Sequence, residues 1–153
     1  MKKQWKTLIF CIAVPLAVGG LSALLTRNSM QTFDSINKPR LAPPGWLFPV
    51  AWTILYILMG IASYLVITSR KPNGSALITY GLQLIFNFFW SIIFFNLSLY
   101  LFAFIWLVIL WLLILKTTIK FCQISEPAGY LMIPYLLWVT FAGYLNFSIY
   151  LLN

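Results

Sequence analysis

The chain contains no histidine, only two acidic residues, Asp34 and Glu126, and only two cysteines, Cys11 and Cys122. Both acids lie between apolar runs, and neither cysteine has a second thiol nearby. Conventional acid–base hydrolysis, metal catalysis and thiol catalysis therefore lack their parts, and neither a metal site nor a disulfide framework is expected. A proton-coupled transporter ordinarily carries an intramembrane carboxylate, and none is present. A phosphate-binding glycine loop and a soluble domain for an ATP-driven pump are also missing. Charged residues make up 8% of the chain, far below the quarter of a water-soluble domain, which excludes a soluble fold.

Hydrophobic residues account for 62% of the 153 positions and aromatic residues for 18%. A crossing of the hydrocarbon core takes about 20 apolar residues, so the length accommodates five. The apolar runs place helices at about 7–25, 46–68, 76–97, 99–121 and 130–152, within a single transmembrane domain spanning 1–153. The expected fold class is an all-α integral membrane protein, a five-transmembrane-helix bundle. The first run follows Lys2, Lys3 and Lys6 as a secretory signal does, but it exceeds the roughly 7–15 apolar residues of a signal and ends in no small-x-small cleavage site. It is read as helix 1, kinked at Pro15, with Gly19, Gly20 and Ala23 permitting close packing. A tight hairpin around 96–98 joins helices 3 and 4, and Ser125, Glu126 and Pro127 precede helix 5. The loop 26–45 is long for a bundle connection and contains Phe33, Lys38, Pro39, Arg40, Pro43 and Pro44, so it is expected to lie over a pocket as a lid.

The net charge of +8 raises nucleic-acid binding, but the cations sit at span ends, without the single aromatic-interleaved patch that binding needs. No nucleic-acid partner is expected. Lys2, Lys3, Lys6, Arg70, Lys71, Lys116 and Lys120 fall on one side of the membrane, and Arg27, Lys38 and Arg40 on the other. The positive-inside rule makes this a multi-pass protein of the cell membrane with its N-terminus cytoplasmic and its first loop and C-terminus outside.

Helical spacing gathers Trp52, Leu55, Tyr56, Met59, Gly60 and Ser63 on one face of helix 2, and Gln83, Asn87, Trp90 and Phe94 on one face of helix 3. On helix 5 the matching face carries Tyr135, Trp138, Ala142, Leu145, Asn146 and Ile149. Amides are costly against lipid, so these three faces are expected to turn inward and enclose an aromatic pocket. For each amide, lining that pocket and holding helices together remain equal alternatives. Trp5 and Trp46 suit an interfacial belt. Trp106 and Trp111 have no evident polar companion and are assigned to packing or lipid contact. Trp52 and Trp138 lie on the polar-aromatic faces and attract a functional role.

These residues resemble the TspO/MBR family, the tryptophan-rich sensory proteins, translocator proteins or peripheral benzodiazepine receptors. The resemblance runs the whole chain through Gly19-Gly20, Lys38-Pro39, Pro43-Pro44-Gly45-Trp46, Pro49-Val50-Ala51-Trp52, Leu55-Tyr56 and Met59-Gly60. It continues through Gln83-Leu84, Asn87, Trp90, Phe94-Phe95, Pro134-Tyr135-Leu136, Trp138, Phe141-Ala142 and Leu145-Asn146. It implies a five-helix bundle, usually a homodimer, that binds porphyrins and synthetic isoquinoline carboxamides beneath the first loop. Carried over, the pocket comprises Trp52, Asn87, Trp138 and Ala142, with Tyr56, Tyr135, Leu145, Phe33 and Pro43 nearby. The resemblance also implies light-dependent oxidative breakdown of protoporphyrin that relies on Trp52 and Trp138. In two places the chain departs from the family. Thr32 and Phe33 replace a common Trp-Tyr pair, and no basic residue follows Lys120, so the animal sterol motif is absent and no sterol role is expected.

The function expected from these readings is a membrane-lipid-embedded receptor for tetrapyrroles, with protoporphyrin IX as ligand or substrate and no resident cofactor. Trp52 and Trp138 serve as stacking and electron-donating groups, and Asn87 as a hydrogen-bond donor. Lys38 and Arg40 either pair with porphyrin carboxylates or contact lipid headgroups. A porphyrin transporter or exporter, and a ligand-dependent stress sensor, are the alternatives.

Overall fold

The computed structural model describes residues 2–29 and 34–153. Five long apolar helices, each sufficient to cross a membrane, account for nearly all of them. They are α1 (Lys2–Thr26), α2 (Leu47–Ile67), α3 (Gly74–Ser91), α4 (Tyr100–Ile124) and α5 (Glu126–Leu152). A short 3-10 turn, Arg27–Ser29, extends α1, and a π-helical turn, Ile92–Asn96, extends α3. With backbone hydrogen bonds closed within each segment, helices of this kind are stable where no water is available.

The helices form a ring in the order α1, α2, α5, α4, α3, with α3 returning to α1. Exposed aliphatic side chains such as Ile54, Ile78, Ile105, Leu112 and Leu137 cover its outside, as a surface bathed in acyl chains requires. The core runs through the centre and includes Met59, Ala62, Leu110, Ile114, Met132 and Tyr135, all almost fully buried.

Two glycines set helix spacing. A methyl group on Gly60 of α2 would stand 2.6 Å from Ile12 Cα and 2.8 Å from the Cys11 carbonyl oxygen, so α1 and α2 touch backbone to backbone there. A methyl group on Gly129 of α5 would meet Cys122, with its Cα at 2.9 Å, where α4 and α5 converge. The small residues expected on α1 divide in role. Gly19 accommodates the Tyr56 ring inside the monomer, whereas nothing lies near Gly20.

The expected hairpin between α3 and α4 is present, turning through Ser98 at φ 51°. The expected gap at 122–129 is not. Only Ser125, in extended conformation, separates α4 from α5. Pro127 sits in the first turn of α5, where its missing N–H costs nothing and its fixed φ favours helix, so it starts the helix instead of delaying it.

Side chains tie the ends of the ring. At one end Lys71 Nζ donates to the Gln123 carbonyl at 3.3 Å, and Lys120 Nζ bonds Ser75 Oγ. At the other, Asn37 and Asn153 exchange hydrogen bonds, Asn37 N donating to Asn153 Oδ1 at 3.2 Å and Asn153 Nδ2 to the Asn37 carbonyl at 2.9 Å. Ser29 Oγ donates to Asn96 Oδ1 at 2.6 Å, and Asn96 Nδ2 to the Leu25 carbonyl at 3.1 Å. The connection between α1 and α2 is thus fastened to α3 on one flank and α5 on the other.

Candidate ligand cavity

At the end of the ring closed by that connection, α1, α2, α3 and α5 enclose a cavity of about 260 Å³. Helix α2 supplies Phe48, Pro49 and Trp52, and α5 supplies Trp138, Ala142, Leu145, Asn146 and Ile149. Trp90, Ser91, Phe94 and Phe95 come from α3 and its π-turn, with Ala23, Thr26 and Arg27 from the end of α1. The π-turn has a local purpose. One extra residue in the turn offsets Phe94 and Phe95 from ordinary α spacing, and both rings border the cavity.

Aromatic faces make the walls. Trp52 and Trp138 meet edge to face with ring centroids 6.4 Å apart at 86°. Trp52 stacks on Tyr56 at 5.5 Å, while Phe48 packs edge-on to Trp138 at 6.0 Å. Opposite them, Trp90 stacks on Phe94 at 5.2 Å. Trp90 is locked in place because its Nε1 donates to Asn146 Oδ1 at 3.1 Å, and Asn146 Nδ2 donates to the Tyr100 carbonyl at 2.8 Å. Trp138 differs. Its Nε1 is buried and has no hydrogen-bond partner, a rare condition for an indole N–H.

A hydrogen-bonded layer forms the floor. Tyr56 OH donates to Asn87 Oδ1 at 3.0 Å, Asn87 Nδ2 donates to Tyr135 OH at 2.7 Å, and Tyr135 OH donates to Gln83 Oε1 at 2.6 Å. Gln83 and Asn87 are 0% and 1% exposed, so this chain of bonds seals the ring below the cavity.

The structure separates the expected site residues into three groups. Trp52, Trp138, Ala142 and Leu145 line the cavity. Asn87, Tyr56 and Tyr135 do not; they spend their polar atoms on one another in the floor. The loop residues form the third group. Pro43 is half-buried away from the cavity lining, Arg40 is exposed, and Lys38 Nζ donates to the Asp34 carbonyl at 3.2 Å. Neither cation borders the cavity. Phe33, expected in the lid, lies outside the described residues, as does Thr32.

Sequence reasoning passed over Arg27 as a site residue, although it is the one cation among the described residues that borders the cavity. The signal was its place one residue beyond α1, where a further turn of helix carries the side chain over the ring's mouth. Trp106 and Trp111 also require correction, since both have polar partners. Trp106 Nε1 donates to the Phe86 carbonyl at 2.8 Å and Trp111 Nε1 to Thr140 Oγ1 at 2.8 Å, tying α4 to α3 and to α5. A backbone carbonyl and a threonine on a neighbouring helix are invisible to spacing within one helix.

Known proteins share this whole arrangement of sequence. The chain is 41% identical over 157 residues to "Tryptophan-rich protein TspO" of Chlorobaculum tepidum, covering 100% of this chain and 99% of that protein. It is 37% identical to "Tryptophan-rich sensory protein" of Cereibacter sphaeroides, covering 100% of this chain and 95% of the other. Similarity extends to animals, at 31% identity with "Translocator protein" of Bos taurus over 98% of this chain and 92% of that one. The model of the TspO/MBR family matches residues 11–152. With five membrane-crossing helices and a match from the first helix to the last, this chain belongs to the TspO/MBR family.

Proposed function

We propose that this protein is a membrane receptor for tetrapyrroles such as protoporphyrin IX and promotes their light-dependent oxidative breakdown. The observation that carries this reading is the pair Trp52 and Trp138, edge to face at 6.4 Å in the wall of a mostly apolar cavity. A macrocycle with a large π-face gains most from such walls. The cavity, about 260 Å³, is just under the roughly 300–1,000 Å³ of small-molecule pockets, so part of a macrocycle lies inside and the rest at the exposed rim. Smaller aromatic amides, the isoquinoline carboxamides among them, share the same walls.

The protein's chemical task is modest. The porphyrin absorbs the light and dioxygen is the oxidant, while the chain orients the macrocycle and offers oxidisable indoles, as proteins do for groups that carry the hard chemistry themselves. Neither ring is tied by a hydrogen bond at its Nε1 to a described residue, and the Trp138 Nε1 is buried, so the walls offer their π-faces and not their N–H groups.

The test is to illuminate the purified protein with protoporphyrin IX and follow porphyrin absorbance beside a dark control. Trp52→Phe and Trp138→Phe are each expected to slow the loss by about tenfold. Equal loss in the wild type and both variants removes the tryptophans from the reaction. Transport is the second reading, favoured by the name of the bovine relative. The sealed floor of Tyr56, Asn87, Tyr135 and Gln83 weighs against passage through the ring, and dark porphyrin flux into proteoliposomes would overturn that preference. A homodimer in the cell membrane with a cytoplasmic N-terminus completes the proposal; cross-linking and cysteine accessibility check those parts.

A further inference from the structure

Polar groups around the cavity are few, and several are already committed. Thr26 turns its hydroxyl back to the Ser22 carbonyl at 2.9 Å, and the Asn146 amide is taken up by Trp90 and Tyr100. Trp138 Nε1 is buried without an acceptor. Arg27, exposed at the rim, makes no hydrogen bond or ion pair with any described residue. The Ser91 hydroxyl can serve as donor or acceptor. Among the described residues that line the cavity, Arg27 alone carries a permanent charge.

Such a site selects its ligand by polarity as well as by shape. A guest that presents an anionic group at its edge meets a positive charge at the mouth. One that presents an ammonium group there brings like charges together. Lys38 and Arg40, the cations nearest in the loop sequence, do not border the cavity.

We propose that Arg27 is the anchor for an acid group on the ligand. The planar aromatic body lies against Trp52, Trp90, Phe94 and Trp138, and a carboxylate at its edge pairs with the guanidinium at the rim, whose fork geometry suits a carboxylate. The ligand class is thus an aromatic amphipath with a terminal acid. A tetrapyrrole with propionate arms is one member, and to that extent the inference rests on the proposed function. The anchor's chemistry applies equally to a smaller aryl carboxylate.

Two matched pairs of probes separate these levels: protoporphyrin IX with its dimethyl ester, and 2-naphthoic acid with its methyl ester. Binding is read by tryptophan fluorescence quenching in nanodiscs of neutral phosphatidylcholine, so that anionic lipid does not compete. For the wild type the acid should bind about tenfold tighter than the ester, the size of one charge-assisted hydrogen bond at a partly hydrated rim. Arg27→Gln should abolish the preference, Arg27→Lys should keep part of it, and added salt should erode it. Arg27→Gln should unfold at the wild-type temperature, which keeps a folding defect from imitating the result. An acid-over-ester preference that survives Arg27→Gln, or is missing from both pairs in the wild type, overturns the anchor. Failure of both porphyrin probes to bind, with an Arg27-dependent preference in the naphthoate pair, overturns the tetrapyrrole reading and leaves the anchor standing.

Discussion

Between Trp52 and Met59 on α2, a distance of about 10 Å along the helix, the interior of the bundle changes character. Near Met59 the amides and phenols of Asn87, Gln83, Tyr56 and Tyr135 satisfy one another and are buried. Near Trp52 the walls are apolar, a cavity is open, and the Trp138 N–H and Arg27 guanidinium have no partner among the described residues. Both regions draw on the same inward faces of α2, α3 and α5. The difference teaches that a polar or aromatic residue on an inward face is available to a ligand only where its neighbours leave its hydrogen-bonding groups unspent. Otherwise it holds helices together.

The most severe way to disturb the comparison is to force the helices apart. Gly60→Val sets a branched side chain against the α1 backbone at Ile12 and should cost about 3 kcal/mol or more, seen as a large drop in thermal midpoint or as loss of folded protein. Next comes the floor itself. Asn87→Leu strands the buried hydroxyl of Tyr56 and removes a donor from Tyr135, an expected loss of about 1–3 kcal/mol in unfolding measurements. If Asn87→Leu left stability intact but abolished porphyrin binding, the sealed floor would prove to be part of the site.

Smaller effects sharpen the contrast. Trp111→Phe removes one bond to Thr140 near the lipid face, expected to cost about 0.6 kcal/mol, the average for an interhelical hydrogen bond in membrane proteins. Trp138→Phe breaks no hydrogen bond and keeps an aromatic ring in the wall, so its thermal midpoint should move less than that of Asn87→Leu. A stability loss at Trp138 equal to that at Asn87 would erase the distinction between the two regions.

Much of this was legible in the chain. Five spans followed from hydrophobicity, and the inward faces of α2, α3 and α5 followed from period 3.6, because lipid repels amides as strongly as the bundle interior accepts them. Trp52, Trp138, Ala142 and Leu145 came from the same phasing with the family resemblance. Asn87, Tyr56 and Tyr135 shared those faces yet proved to be floor, since phasing reports direction from the helix axis and not which neighbour arrives at the same depth. Arg27 was counted with the charges of the outer side, because span prediction ends a helix where hydrophobicity ends and the 3-10 turn continues beyond it. The run from Ser125 to Pro127 looked like a loop, because proline breaks a helix in its interior and favours one in its first turn.

Composition and periodicity by themselves determined that this protein lives in a membrane, crosses it five times and turns its amides and several tryptophans inward, since each of these is a property of one helix in a given solvent. Which inward groups are spent on each other and which stay free was decided by tertiary structure alone. Hydrogen bonding is pairwise and short-ranged, and the ring order that places α5 against α2, with α3 and α1 closing the circle, is what brings Tyr135 to Asn87 and leaves Trp138 and Arg27 facing an open cavity.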